Sequence, residues 1–198
     1  MQTADHEFVA GYLRQSCEAL NAYAQDPAQV TVLDRMADAV TTCFRSGGKL
    51  MIAGNGGSAG DAQHIAGEFT GRMLYDRAPL PAVALHADTS ALTAIGNDYG
   101  FVHVFERQVQ ALGRPGDVLL ALSTSGNSAN VLRAMDAARG LGLHVHAFTG
   151  SDARGMASRA DLLMQVPSAL TPVIQQVYMV AGHLLCSLVE RAMFPRAA

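Results

Sequence analysis

Apolar residues follow two rhythms along this chain. Over residues 5–24, Phe8, Val9, Leu13 and Leu20 recur at roughly helical spacing. Asp26 then stands before Pro27, the arrangement expected of an N-cap and a first-turn proline. The second helix this begins runs to about Arg45 and stops at Gly47-Gly48. Beyond it the long period gives way to short apolar runs. Lys49–Ala53, Pro81–Leu85, Val118–Leu122, Leu143–Phe148 and Leu162–Val166 predict five strands. Helical patterns fill the gaps, over about Ala59–Leu74, over 101–112, and from the Ser123–Ser128 turn to about Arg139. Thr171-Pro172 opens a long final helix that reaches about Ala192.

Strands alternating with helices predict an α/β fold, a three-layer sandwich whose five-stranded parallel sheet is covered on both faces. Right-handed crossovers collect the loops that follow the strands at one edge, where ligands of open α/β sheets bind. No linker or low-complexity tract divides the chain. Residues 1–198 therefore read as one domain, with 1–46 as an N-terminal helical segment.

Composition narrows the classes. Against 17 acidic residues stand 14 basic ones, for a net charge of −3, which gives no electrostatic reason to expect nucleic acid as a partner. Cys17, Cys43 and Cys186 form no CxxC pair, and an odd count suits a reducing, cytoplasmic compartment. The N-terminus lacks the basic-then-apolar pattern of a signal peptide. The most apolar stretch, 173–189, is interrupted by Gln175, Gln176 and His183, so it reads as a buried helix and not a membrane span.

Two post-strand loops carry candidate chemistry. In Gly54-Asn55-Gly56-Gly57-Ser58-Ala59-Gly60, glycines let backbone approach a ligand, and the helix that follows offers unpaired N–H groups to an anion. The same residues also suit a simple tight turn. The spacing only loosely matches a dinucleotide fingerprint, since Asp88 falls 28 positions beyond Gly60, and no lysine follows as a nucleotide phosphate loop requires. The second loop, Ser123-Thr124-Ser125-Gly126-Asn127-Ser128, holds four hydroxyls in six residues and reads as an anion cradle at a helix start. Its plainer reading is a capping loop, with Ser125 or Asn127 as N-cap.

Asp61, His64, Glu68 and Arg72 are spaced to form one stripe on a helix. His64 and Glu68 supply half a metal site, and Arg72 suits either a phosphate or Glu68. A solvated face with mild ion pairing explains the same spacing. On the last helix Gln175 and His183 sit among Val173, Ile174, Val177, Val180, Leu184 and Leu185, where a polar group needs a partner or a task. The two are eight residues apart, about 12 Å along a helix axis. His183 is a candidate acid/base, while Cys186 reads as a small buried hydrophobe. Asn97-Asp98-Tyr99 stands in a turn-like IGNDYG stretch.

Together, Gly54–Ala59, Asp61, His64, Glu68, Thr70-Gly71-Arg72, Ala94–Tyr99 and Ser123–Ser128 closely resemble the phosphoheptose isomerases of the sugar-isomerase (SIS) domain superfamily, over nearly the whole chain. The resemblance implies a homotetramer with active sites between subunits. It implies interconversion of sedoheptulose 7-phosphate and D-glycero-D-manno-heptose 7-phosphate. Ser123, Thr124, Ser125 and Ser128 match positions that hold phosphate; Asn55, Gly56, Gly57, Asn97 and Asp98 match the sugar site. Glu68 and His183 match the catalytic pair, and His64, Glu68, Gln175 and His183 match ligands of a zinc ion. Many members have Glu after Gln175, His at the position of Tyr178, and Asp at that of Leu170; this chain departs at all three.

Three activities compete at this stage. The first is the isomerase, on this heptose or a related sugar phosphate. The second is a non-catalytic regulator of the same fold that binds a replication-initiation protein, which has no chemical need for Glu68 and His183. The third is a nicotinamide-dependent oxidoreductase, which the missing acidic residue disfavours.

Overall fold

The structure, a computed structural model, describes residues 2–196. Two helices lead, α1 (Gln2–Ala24) and α2 (Pro27–Arg45). Asp26 caps α2 as its sequence position requires, its Oδ1 accepting from the N–H groups of Ala28 at 2.9 Å and Gln29 at 3.3 Å. Then come β1 (Leu50–Ala53), α3 (Gly57–Thr70), β2 (Ala82–Ala84), α4 (Thr89–Tyr99), a 3₁₀ turn over Phe101–His103, and α5 (Glu106–Leu112). The chain continues with β3 (Val118–Ser123), α6 (Ala129–Gly140), β4 (His144–Thr149), α7 (Arg154–Ala157), β5 (Leu162–Gln165) and α8 (Thr171–Met193).

All four strand pairings are parallel, in the order β2-β1-β3-β4-β5. The central strands β1 and β3 are buried along their whole length, as strands covered on both faces must be. Alternate residues feed two cores. Leu50, Ile52, Val118, Leu120 and Phe148 meet α2, α3 and α8, while Met51, Leu119, Ala121 and Val145 meet α5 and α6. The three-layer α/β prediction holds.

Three elements differ from the sequence reading. The IGNDYG stretch is not a turn but the last part of α4. The helix expected over 101–112 splits into the 3₁₀ turn and α5. The helix expected to reach Leu74 ends at Thr70, so Arg72 leaves the stripe of Asp61, His64 and Glu68.

By length and composition α8 is apolar enough to cross a membrane, but half of its most apolar window is buried inside the fold. It lies beside α3 and runs in the same direction. Gln175 meets Ser58 at the start of α3, His183 meets His64 midway, and Glu190 reaches the segment after the end of α3. Close approach depends on Gly182, where a Cβ would stand 2.8 Å from the Cγ1 and Cδ1 atoms of Ile65.

Candidate active site

The two loops lie at the C-terminal ends of β1 and β3, neighbouring strands. Gly56, at φ 54°, turns the chain into α3. Asn55 and Asn130, the second residue of α6, exchange two amide hydrogen bonds of 2.9 Å each, locking the loops together. Nothing in the sequence pattern marked Asn130, because its partner lies 75 positions away.

In the second loop Ser123 Oγ lies 2.9 Å from Ser128 Oγ and 3.4 Å from Ser125 Oγ. The N-cap of α6 is Ser128, not Ser125 or Asn127, and its hydroxyl makes no capping bond to the helix. Ser125 instead accepts from Asn127 N–H at 3.3 Å. Gly126, at φ 64°, fits beneath the carbonyls of Asp152 and Ala153, which a Cβ would approach to 2.6 Å. Three hydroxyls thus gather at a helix start, where partial positive charge favours an anion.

On α3 and α8 the ionisable residues converge. His64 Nε2 lies 2.9 Å from His183 Nε2 and 3.2 Å from Glu68 Oε1. One ligand atom from each of His64, Glu68 and His183 lies within 4.8 Å of the others. The buried faces of α3 and α8 point elsewhere, so the cluster is half open, with the His64 side chain 47% exposed. Three potential lone-pair donors this close together fit a cation. Tetrahedral Zn²⁺ with bonds of ~2.0–2.1 Å spaces its ligands roughly 3.3 Å apart, near the 2.9 and 3.2 Å that separate His64 from His183 and Glu68.

Gln175 does not join this cluster. Its amide reaches Ser58 Oγ at 3.4 Å and lies where a Cβ on Gly57 would intrude. Arg72 is exposed, and among the described residues it pairs with neither Glu68 nor another carboxylate. Asn97 and Asp98 sit exposed on the last turn of α4, with a 2.7 Å hydrogen bond between their side chains.

Next to the cluster, burial pushes the Asp61 carboxyl up to about 6, partly countered by His64. Its Oδ2 and the Tyr178 hydroxyl are both buried without a partner among the described residues. Burial and the Asp61 charge raise the Tyr178 hydroxyl far above the ordinary range. Cys186 is buried, and burial with the nearby Glu68 charge raises its thiol strongly, so it is the inert hydrophobe expected.

A family model described as the SIS domain matches residues 11–150, which places the chain among the sugar-isomerase domain proteins. The phosphoheptose isomerase of Rhodospirillum rubrum is 60% identical over 157 residues, covering 79% of this chain and 84% of its own. That of Burkholderia pseudomallei is 47% identical over 194 residues and 98% of each chain. The solved structure of the Neisseria gonorrhoeae phosphoheptose isomerase superposes with a TM-score of 0.88, at 45% identity, over 93% of this chain and 98% of that one. The chain belongs to the phosphoheptose isomerase family, and it is an enzyme.

Proposed function

We propose that this protein interconverts sedoheptulose 7-phosphate and D-glycero-D-manno-heptose 7-phosphate. Family membership supports the substrate class. The observation that carries the residue assignment is the convergence of Glu68 and His183 from two different helices.

The reaction moves a hydrogen between adjacent carbons. Glu68 takes a proton from C1 of the ketose, leaving an enediol, and returns one to C2. His183 delivers a proton to the former carbonyl oxygen as the C1 hydroxyl gives one up, so the atoms balance. Ser123, Thr124, Ser125 and Ser128 hold the phosphate, and donors such as these release it more readily than lysines would. Asn55, Gly56, Gly57, Asn97 and Asp98 border the sugar, and Arg72 reaches the anionic end. His64, Glu68 and His183 of one copy, with Gln175 of a second copy as a fourth ligand, would hold Zn²⁺, which when bound polarises oxygens of the open-chain sugar.

The working form we propose is a homotetramer in the cytoplasm, with α8 as a core helix and each site shared between copies of the single 1–198 domain. Within one chain Glu68 lies eleven residues beyond Gly57, about 16 Å along the axis of α3 from the loop edge. Exposed Val180 and Leu184 flank His183 on α8. A second copy seated there would bring its serine loop to Glu68.

Incubation with sedoheptulose 7-phosphate, with and without added Zn²⁺, should yield the aldose; no turnover in either condition would sink the substrate assignment. Glu68→Gln should lower kcat by roughly 10³-fold or more while sugar-phosphate binding persists. Deuterium uptake at C1 or C2 from heavy water reads the same step, and normal uptake in that variant would refute Glu68 as the base.

A further inference from the structure

The last turn of α3, which carries Glu68, ends in a buried ion pair that no sequence motif announced. Arg77 and Glu190 have side chains 2% and 0% exposed, and their Nε and Oε1 atoms lie 3.0 Å apart. From there the guanidinium reaches backbone. Its Nη2 donates to the carbonyl of Glu68 at 2.7 Å. Its Nη1 donates to those of Phe69, Gly71 and Ala78 at 2.6, 3.0 and 3.1 Å. The final carbonyls of a helix have no partners within it, and here a cation fills that role at the negative end of the helix dipole. Glu190 completes the arrangement, accepting from the N–H groups of Met73 at 3.0 Å and Leu74 at 2.8 Å.

Glu190 lies on α8, seven residues and two turns beyond His183. One end of the pair therefore holds the carbonyl of Glu68 itself, and the other is fixed to the helix that carries His183. We propose that Arg77 and Glu190 are positioning residues for the isomerisation: the pair pins the last turn of α3 to α8 and so fixes the reach of the Glu68 carboxylate toward His183. It touches neither substrate nor reacting atoms. Without it the terminal turn frays, and the base moves relative to the carbon it must deprotonate. This inference rests on Glu68 and His183 being the reactive pair.

The test compares Arg77→Lys, Arg77→Met and Glu190→Gln in the full chain, with Glu68→Gln as control. Each variant is assayed on sedoheptulose 7-phosphate well below its own melting temperature. Lysine keeps the charge facing Glu190 but cannot span the Glu68 and Phe69 carbonyls together. Arg77→Lys should therefore recover most of the melting temperature lost in Arg77→Met without recovering kcat. In Arg77→Lys and Glu190→Gln, kcat should fall about 10- to 100-fold with KM within about twofold, the signature of a misplaced base under intact phosphate binding. Wild-type kcat in folded Arg77→Lys and Glu190→Gln, beside an inactive Glu68→Gln, overturns the positioning role and leaves the site assignment standing. Full activity in Glu68→Gln overturns the assignment and the clamp with it. If Arg77→Met fails to fold, the other two variants still decide.

Discussion

Single residues here divide into those that face solvent to act and those whose burial has a measurable cost. His146 belongs to the second group. It sits on β4 opposite Leu120 and Leu162, 2% exposed, and its Nδ1 has no partner among the described residues. Burial, with some help from His144 and against Asp161, holds its imidazole down to about 4. In the unfolded chain a histidine titrates near 6.5. Between those values the unfolded state binds the extra proton, so stability is complete above about pH 6.5 and drains as pH falls toward 4. The full effect is roughly 3 kcal/mol. His146→Leu removes the group, so urea midpoints at pH 7 and pH 4.5 should differ less in the variant than in the wild type. An equal acid loss in both would show that His146 is not a source of it.

At the scale of elements, the parallel pair of α3 and α8 governs the reactive cluster, and Gly182 sets its spacing. On an open helix Gly→Ala gains about 1 kcal/mol in propensity. At position 182 the new methyl would meet Ile65, so the sign should invert, with a loss of about 1–3 kcal/mol from overpacking and a fall in kcat as His183 and His64 separate. A Gly182→Ala protein that melts higher and turns over normally would show that the contact tolerates more room. The strands were legible because they are short, mostly apolar runs, and β1, β3 and β4 end at Gly54, Ser123 and Gly150. The helix α4 was not, since none of its residues is buried and no apolar stripe betrays it. Arg72 was placed on a helix because helical spacing extends smoothly through Gly71; instead α3 ends at Thr70, and Arg77, tied to a carboxylate 113 positions away, takes up carbonyls of its last turn. The His64–Glu68 pair could be read from spacing alone, whereas its meeting with His183, 119 positions on, required the fold.

At the scale of the molecule, one chain leaves much apolar surface uncovered. Phe8 is 74% exposed and Leu13 58%, with Val9 and Leu20 beside them on α1 and Val180 and Leu184 on α8. A hollow of about 140 Å³ between the two helices is lined by Ser16, Cys17, Leu20, Gln176, Val177 and Val180. In the homotetramer proposed above, exposed apolar side chains such as these are where copies of the chain would meet. The serine loop and the Glu68 cluster would then be used in trans. Mixing two inactive proteins can establish this. Ser125→Asp places a charge against the incoming phosphate but leaves Glu68 intact; Glu68→Gln leaves the loop intact. If each site takes its loop from one copy and its base from another, equal and randomly exchanged subunits should restore activity at about one site in four. If each chain carried a whole site, mixing would restore nothing, because every site would hold one defect. The assay needs subunit exchange, which co-expression of the two variants provides. Leu184→Lys, introduced into the wild-type chain, should shift sedimentation toward smaller species and abolish turnover together, since the same surface that buries Leu184 would complete the site around His183.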